Sequence, residues 1–216
     1  MENAKGLRAF WDSNTSPRAR HHCDGLNDWI NFVDEKMLTY IDKDDTIRDV
    51  LEWGCGRGDM SMKLAERGLD VHLVDLLDSS LDLAELRMMC HGFGPETRTP
   101  VEDPAQISLP IEQIDALLCV AVIQHFPSVD YWRQVAAVWR ALNPRLILIQ
   151  TRHAEVNQQP DDYEKDHLFS LWLTHSEVLE QFPGYTLRFN HADKPDDYIW
   201  SSRASYEFFV LTREDA

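Results

Sequence analysis

The stretch Val50-Leu51-Glu52-Trp53-Gly54-Cys55-Gly56-Arg57-Gly58-Asp59 decides how this chain reads. It opens as an apolar strand and turns into a Gly-x-Gly-x-Gly loop. A pattern of helical spacing, Met60 to Arg67, follows. Glycine is needed where a chain turns sharply and a ligand must reach the backbone with no Cβ in the way. A loop that leaves a strand and opens a helix also offers backbone N–H groups to that ligand. Asp75 closes the next apolar run, Val71-His72-Leu73-Val74, seventeen positions after Gly58. A carboxylate at that strand end can accept hydrogen bonds from both hydroxyls of a ribose. The plainer alternative is an ordinary tight turn with Asp75 as a helix cap. Two such features at the strand ends of one strand–helix–strand unit favour a nucleoside-bearing ligand.

The same alternation continues outward. Apolar runs recur at Ala116 to Val120 and Leu146 to Ile149, with helical patterns at Ser79 to Met89 and Tyr131 to Leu142. Strands alternating with helices predict a mostly parallel sheet, doubly wound and covered on both faces. Upstream, residues 1–47 read as helical, with Trp29, Ile30, Val33, Met37, Leu38 and Ile41 at helix-like spacing. A polar break, Asp42-Lys43-Asp44-Asp45, ends that segment. Downstream, Tyr185 to Phe189 and Tyr206 to Thr212 read as an antiparallel pair added to the sheet edge.

The chain has 216 residues, 21 Lys+Arg and 37 Asp+Glu, for a net charge of -16. With 44% hydrophobic residues, including seven Trp, it holds ample material for a core. A protein that grips nucleic-acid phosphates needs the opposite charge, so nucleic acid is disfavoured as a partner. Cys23, Cys55, Cys90 and Cys119 form no CxxC pair, which reads as a reducing, intracellular setting. Neither a secretory h-region nor a membrane-length apolar run appears, so a cytoplasmic protein without membrane attachment is expected.

The acids narrow the ligand. A dinucleotide fingerprint places a third glycine where this chain has Asp59. A carboxylate there suits a pyrophosphate poorly, and Glu52 just before the loop is a better neighbour for an amine or a sulfonium. These acids disfavour NAD and favour a cationic, phosphate-free nucleoside.

Here the chain resembles the class I S-adenosylmethionine-dependent methyltransferases. Val50 to Gly58 is similar to that family's first motif, and Val74-Asp75-Leu76 to its acidic second motif. Ile114 to Phe126, with Gln124-His125-Phe126 at its end, resembles the strand-four segment. Ala141 to Ile149 resembles the Leu-x-Pro-Gly-Gly turn into strand five. Two departures stand out: Trp53 is bulkier than the usual Ile or Val, and both glycines are missing after Pro144.

The resemblance implies a Rossmann-like α/β fold, a seven-stranded sheet with an antiparallel closing strand and a helical N-terminal lid. It implies S-adenosyl-L-methionine as cofactor and S-adenosyl-L-homocysteine as product. Gly54, Cys55, Gly56 and Gly58 would line the methionine end, Glu52 would face its amine, and Asp75 would hold the ribose. Leu76 would pack on the adenine, Asp103 (or, less well spaced, Glu102) would meet the adenine amino group, and backbone near Val120 would close the far side. The segment 1–47 would form a cap, with Trp11 as lid aromatic and Arg18 or Arg20 meeting the methionine carboxylate or an anionic acceptor; a surface arm with a core-packed Trp11 is the alternative.

On the acceptor side, His125 is the candidate catalytic base, against an equal reading as a structural histidine. An unperturbed imidazole titrates near pH ~6.5. The remaining domain, 48–216, would carry acceptor-side insertions around 152–173 and 190–203, holding Tyr163, Phe169, Trp172, Tyr198 and Trp200. Leu168, Trp172 and Leu179 stand at helical spacing, and His167, His175 and His191 read as solvated loop. Residues 155–216 hold 13 acids and five bases, so a neutral or cationic small-molecule acceptor is expected. The expected activity is methyl transfer to such an acceptor, at oxygen. Two alternatives are a non-catalytic S-adenosylmethionine-binding partner protein and an NAD-dependent oxidoreductase.

Overall fold

The computed structural model describes residues 30–101, 103, 105–153, 171–192 and 205–214. Its frame is one sheet with seven strands in spatial order β3-β2-β1-β4-β5-β8-β7. The strands are β1 (Asp49–Trp53), β2 (Asp70–Asp75), β3 (Thr97–Pro100), β4 (Ala116–Cys119), β5 (Leu146–His153), β7 (Tyr185–Ala192) and β8 (Ser205–Arg213). A two-residue strand, β6 (Trp172–Leu173), pairs with the end of β5. Strands β3, β2, β1, β4 and β5 run parallel, while β8 runs antiparallel to both β5 and β7. The doubly wound sheet with an antiparallel closing strand is therefore as expected.

Helices cover both faces. A helical stretch at 30–42 (α1) contains a π-helical turn, Asp34–Leu38, and packs on one face. It shares that face with α2 (Asp59–Ala65) and α3 (Asp78–Cys90). The opposite face is covered by α4 (Val129–Ala141) and α5 (His175–Leu179). The near-continuous apolar runs of β1 and β4 follow from this, because both of their faces are buried. Trp53, the bulky departure, is accommodated on the α4 side, edge-on to Trp139 at 5.7 Å between ring centroids. None of the helices among the described residues is long and apolar enough to cross a membrane.

The amino ends of the central strands are held by one carboxylate. Asp115 Oδ2 accepts from the Arg48 and Asp49 N–H groups at 2.7 and 3.1 Å, and Oδ1 accepts from Arg145 at 3.0 Å. Burial alone would raise this carboxyl, but those donors hold it below the usual carboxylate range. Asp115→Ala is expected to cost about 1–3 kcal/mol, through two strand N–H groups left unpaired and the loss of one partner of Arg145, which keeps Thr46 and Asp44. Urea unfolding checks this. Because the folded carboxyl is the stronger acid, its contribution is present above pH ~4 and fades as pH falls through the folded value.

Two local expectations need correction. Trp172 lies in strand β6, not on a helix with Leu179, and Leu168 lies outside the described residues. His175 and His191 are not solvated loop. His175 opens α5, and its Nδ1 lies 2.7 Å from the buried Glu207 carboxylate, while His191 sits on β7 packed against Phe32 and Phe208. The antiparallel β5–β8–β7 ribbon carries both positions into tertiary contacts that a local reading does not show.

Candidate active site

The chain leaves β1 for β2 and β3 on one side, then returns to β4 and β5 on the other. The order therefore reverses between β1 and β4, and open α/β sheets bind ligands at the carboxyl ends of the strands beside such a switch. The glycine loop lies there. Gly54 and Cys55 N–H groups donate to Val74 O at 2.7 and 3.2 Å, tying the loop to the end of β2. Gly54 has φ +81°, and a Cβ built on it would lie 2.2 Å from Val122 Cγ2. Only glycine lets the β1 loop meet the loop after β4 this closely. Gly58, with φ +76°, caps α2, and a Cβ there would press on Ala84 of α3 at 2.9 Å. By contrast, Gly56 has φ +51° and open space around its Cβ position.

Asp75 ends β2 beside this loop. Its Oδ2 accepts from Gly56 N–H at 2.9 Å and its Oδ1 from Leu77 N–H at 3.0 Å. Burial raises its carboxyl above the usual value, and these donors oppose the shift. The Ser80 hydroxyl and the Leu76 N–H also act on this carboxylate in the same sense. Glu52 lies on the α2 side of β1, and its Oε2 accepts from the Ser61 hydroxyl. Burial pushes Glu52 up to about 8, Ser61 works against that, and the Asp75 and Asp59 charges add to it. The Cys55 thiol is likewise pushed up, by burial and then by the Glu52 and Asp75 charges, which disfavours the thiolate. Asp59 itself is paired with Arg57 at 3.0 Å and with Arg87.

The other wall follows β4. Val120 and Ala121 lead into a 3₁₀ turn, Ile123–His125. Ala121 has φ +61°, a conformation that costs a non-glycine residue on the order of 1–3 kcal/mol. Its N–H donates to the Oε1 of the fully buried Gln150 at 2.8 Å. His125 is half-buried, and its N–H donates to Val122 O at 2.8 Å. Val122 touches the Gly54 position, so the turn that carries His125 starts beside the glycine loop. Leu76 is half-buried beyond Asp75, as is Val120 at the end of β4. Asp103 holds its own turn, with Oδ1 accepting from Ala105 N–H and Oδ2 from the Gln106 amide, both at 3.0 Å. Its charge adds to the burial that pushes Tyr131, in the first turn of α4, up to about 12. Trp11, Arg18, Arg20 and Glu102 lie outside the described residues.

The structure therefore brings Gly54, Cys55, Gly56 and Asp75 together at the carboxyl ends of β1 and β2, with Val122 against Gly54; Glu52 is buried in β1 behind the loop, Leu76 follows Asp75, and Val120 and His125 flank Val122 in the chain. Several of the site's supports were not read in the sequence. Ser61 is a buried hydroxyl among Met60, Met62, Leu64 and Ala65, and that oddity was its only signal. Val122, Ala121 and Gln150 act through β1–β4 and β4–β5 neighbourhood, which spacing does not reveal.

Comparison with known proteins agrees. Residues 50–145 match the family model described as a methyltransferase domain. The ubiquinone biosynthesis O-methyltransferase of Pseudomonas fluorescens is 26% identical over 196 residues, covering 90% of this chain and 76% of that protein. Its counterpart in Pseudomonas putida is 27% identical over 200 residues, covering 92% and 78%. Among solved structures, magnesium protoporphyrin IX methyltransferase from Synechocystis, with S-adenosylmethionine bound, superposes with a TM-score of 0.72 at 15% identity. That match covers 99% of this chain and 98% of the other. An S-adenosylmethionine-dependent methyltransferase from Clostridium acetobutylicum gives 0.62 at 12% identity, covering 86% and 90%. These structural likenesses establish the fold.

The family model marks residues 50–145 as a methyltransferase domain, so the chain is an enzyme, and its fold and glycine loop are those of the S-adenosylmethionine-dependent methyltransferases it resembles. The methyltransferase domain spans the strands that build the crevice, from β1 to the turn before β5.

Proposed function

We propose that this enzyme methylates a hydroxyl of a neutral or cationic small molecule, with S-adenosylmethionine as donor. The single observation that carries the reading is the Asp75 carboxylate, pinned by the Gly56 and Leu77 N–H groups at the open end of β2. The cradle fits the cofactor: Gly56 leaves space where a Cβ would stand, and the buried acids match a positively charged ligand. Asp75 would hold the ribose, Glu52 the amine, Gly54 to Gly58 the methionine end, and Leu76, Val120 and Asp103 the adenine side. Trp11 and Arg18 would belong to a cap formed by residues 1–47, with acceptor-side insertions around 152–173 and 190–203. When bound, the cofactor supplies a methyl on a sulfonium, open to in-line displacement by the acceptor oxygen. The chain's part is to position the reactants, exclude water and receive the hydroxyl proton, which we assign to His125.

Oxygen as the acceptor atom draws support from the O-methyltransferase relatives, and the strongly acidic chain disfavours a nucleic-acid acceptor. The acid excess of residues 155–216 favours acceptors that carry no negative charge. Buried free thiols at Cys55 and Cys119 accord with a cytoplasmic enzyme. A test uses catechol, dopamine and 3,4-dihydroxybenzoate with methyl-labelled cofactor. Label should enter the neutral and cationic phenols, with kcat/KM about tenfold or more lower for the anion, a difference of about 1.4 kcal/mol. Preference for the anion would overturn the charge assignment, and label in none of them would count against hydroxyl transfer.

A further inference from the structure

Glu52 is 5% exposed, and one uncharged donor, the Ser61 hydroxyl, reaches its carboxyl. Its Oε1 takes no hydrogen bond from the described residues. Flanking strands face it with apolar Leu73 on β2 and Leu118 on β4. The thiols of Cys55 and Cys119 lie within reach of its charge, and both are buried. Around the crevice end stand two more carboxylates, Asp75 and Asp59. The cations of this neighbourhood are engaged elsewhere: Arg57 and Arg87 hold Asp59, and Arg98 holds Asp82 and Glu85. Asp75, with two backbone donors, is the better stabilised anion of the pair. An ionised Glu52 would be a desolvated charge facing others of the same sign.

We propose that Glu52 is a neutral carboxylic acid in the free enzyme and gives up its proton as the ammonium of the cofactor's aminocarboxyl end enters. This rests on the cofactor reading above. One Glu52 O–H bond breaks, the proton leaves to solvent, and a carboxylate–ammonium pair replaces the neutral acid. Nothing else changes covalently. The exchange makes Glu52 a specificity-determining residue, since a ligand without an ammonium leaves the proton in place. Protons then compete with the cofactor. Affinity rises with pH, about tenfold per unit while the free enzyme is protonated. The rise ends at about 8, the value to which burial raises Glu52, and affinity falls again once the ligand's own ammonium loses its proton.

Calorimetry of the full chain tests this, with S-adenosylhomocysteine at pH 7 in buffers of different ionisation enthalpy. Close to one proton released per ligand bound is expected. 5′-Methylthioadenosine, which lacks the amine, should release none, and Glu52→Gln should bind S-adenosylhomocysteine without release. Binding of S-adenosylhomocysteine by the unaltered chain with no proton release overturns the proposal and leaves the cofactor reading standing. The same release in Glu52→Gln also overturns it. No saturable binding of S-adenosylhomocysteine at all overturns the cofactor reading, and the proposal with it.

Discussion

Asp75→Ala is expected to raise the dissociation constant for S-adenosylmethionine by about 10²–10⁴, the loss of two charge-assisted hydrogen bonds to one ribose. The carboxylate is set for this by its neighbours. Gly56 and Leu77 N–H groups occupy one position on each oxygen and fix the plane of the group. Removing it also strips both N–H groups of their acceptor, so a stability loss of about 1–3 kcal/mol should accompany the change. Asp75→Asn keeps the shape but only one acceptor oxygen, so one of the two N–H groups faces the amide NH2 and a smaller loss of both stability and affinity is expected. Calorimetry with S-adenosylmethionine, alongside thermal unfolding, reads both. Unchanged affinity in a folded Asp75→Ala protein would remove the ribose assignment.

His125→Ala is expected to lower kcat by about 10²–10⁴ with the cofactor affinity intact, as befits loss of a general base. The residue follows β4 on a 3₁₀ turn, and the Gly54–Val122 approach keeps that turn against the glycine loop. The strained Ala121 and its bond to Gln150 fix the same stretch from the other side. The measurement is single-turnover methyl transfer to catechol, followed against pH. A base should abolish the acidic limb of the profile when removed. A fall in cofactor affinity equal to the fall in rate, with the limb retained, would make His125 a structural part of the wall.

Much of the fold was legible because the central strands are buried on both faces. That burial forces unbroken apolar runs such as Ala116 to Cys119 and Leu146 to Ile149. Strand β3 was not legible: Thr97–Pro100 is an edge strand of alternating half-buried and exposed residues, without an apolar run. Strand β6 has two residues and exists through its pairing with the end of β5. The left-handed position of this turn falls on Asn143, before Pro144, at φ +54°, and Arg145 and Leu146 after it take no positive φ, so the turn into β5 needs no glycine there. Asparagine is among the few residues that adopt the left-handed position readily.

The site divides along the same line. Glycine loop and Asp75 are contiguous features of one strand–helix–strand unit, so their relation survives in the sequence. Their supports are not contiguous. Ser61 reaches Glu52 across the β1–α2 packing, and Val122 reaches Gly54 because β4 lies beside β1. The insertion boundaries also move with structure. Strand β5 runs on to His153, the sheet is rejoined at Trp172, and β7 extends to Ala192.

The central claim is that the crevice between β1 and β4 takes a cationic, phosphate-free nucleoside cofactor. Equilibrium titration of the unaltered chain with S-adenosylmethionine and, separately, with NADH tests it most directly. Saturable one-to-one binding of S-adenosylmethionine and none of NADH is predicted. Saturable binding of NADH with none of S-adenosylmethionine would contradict it.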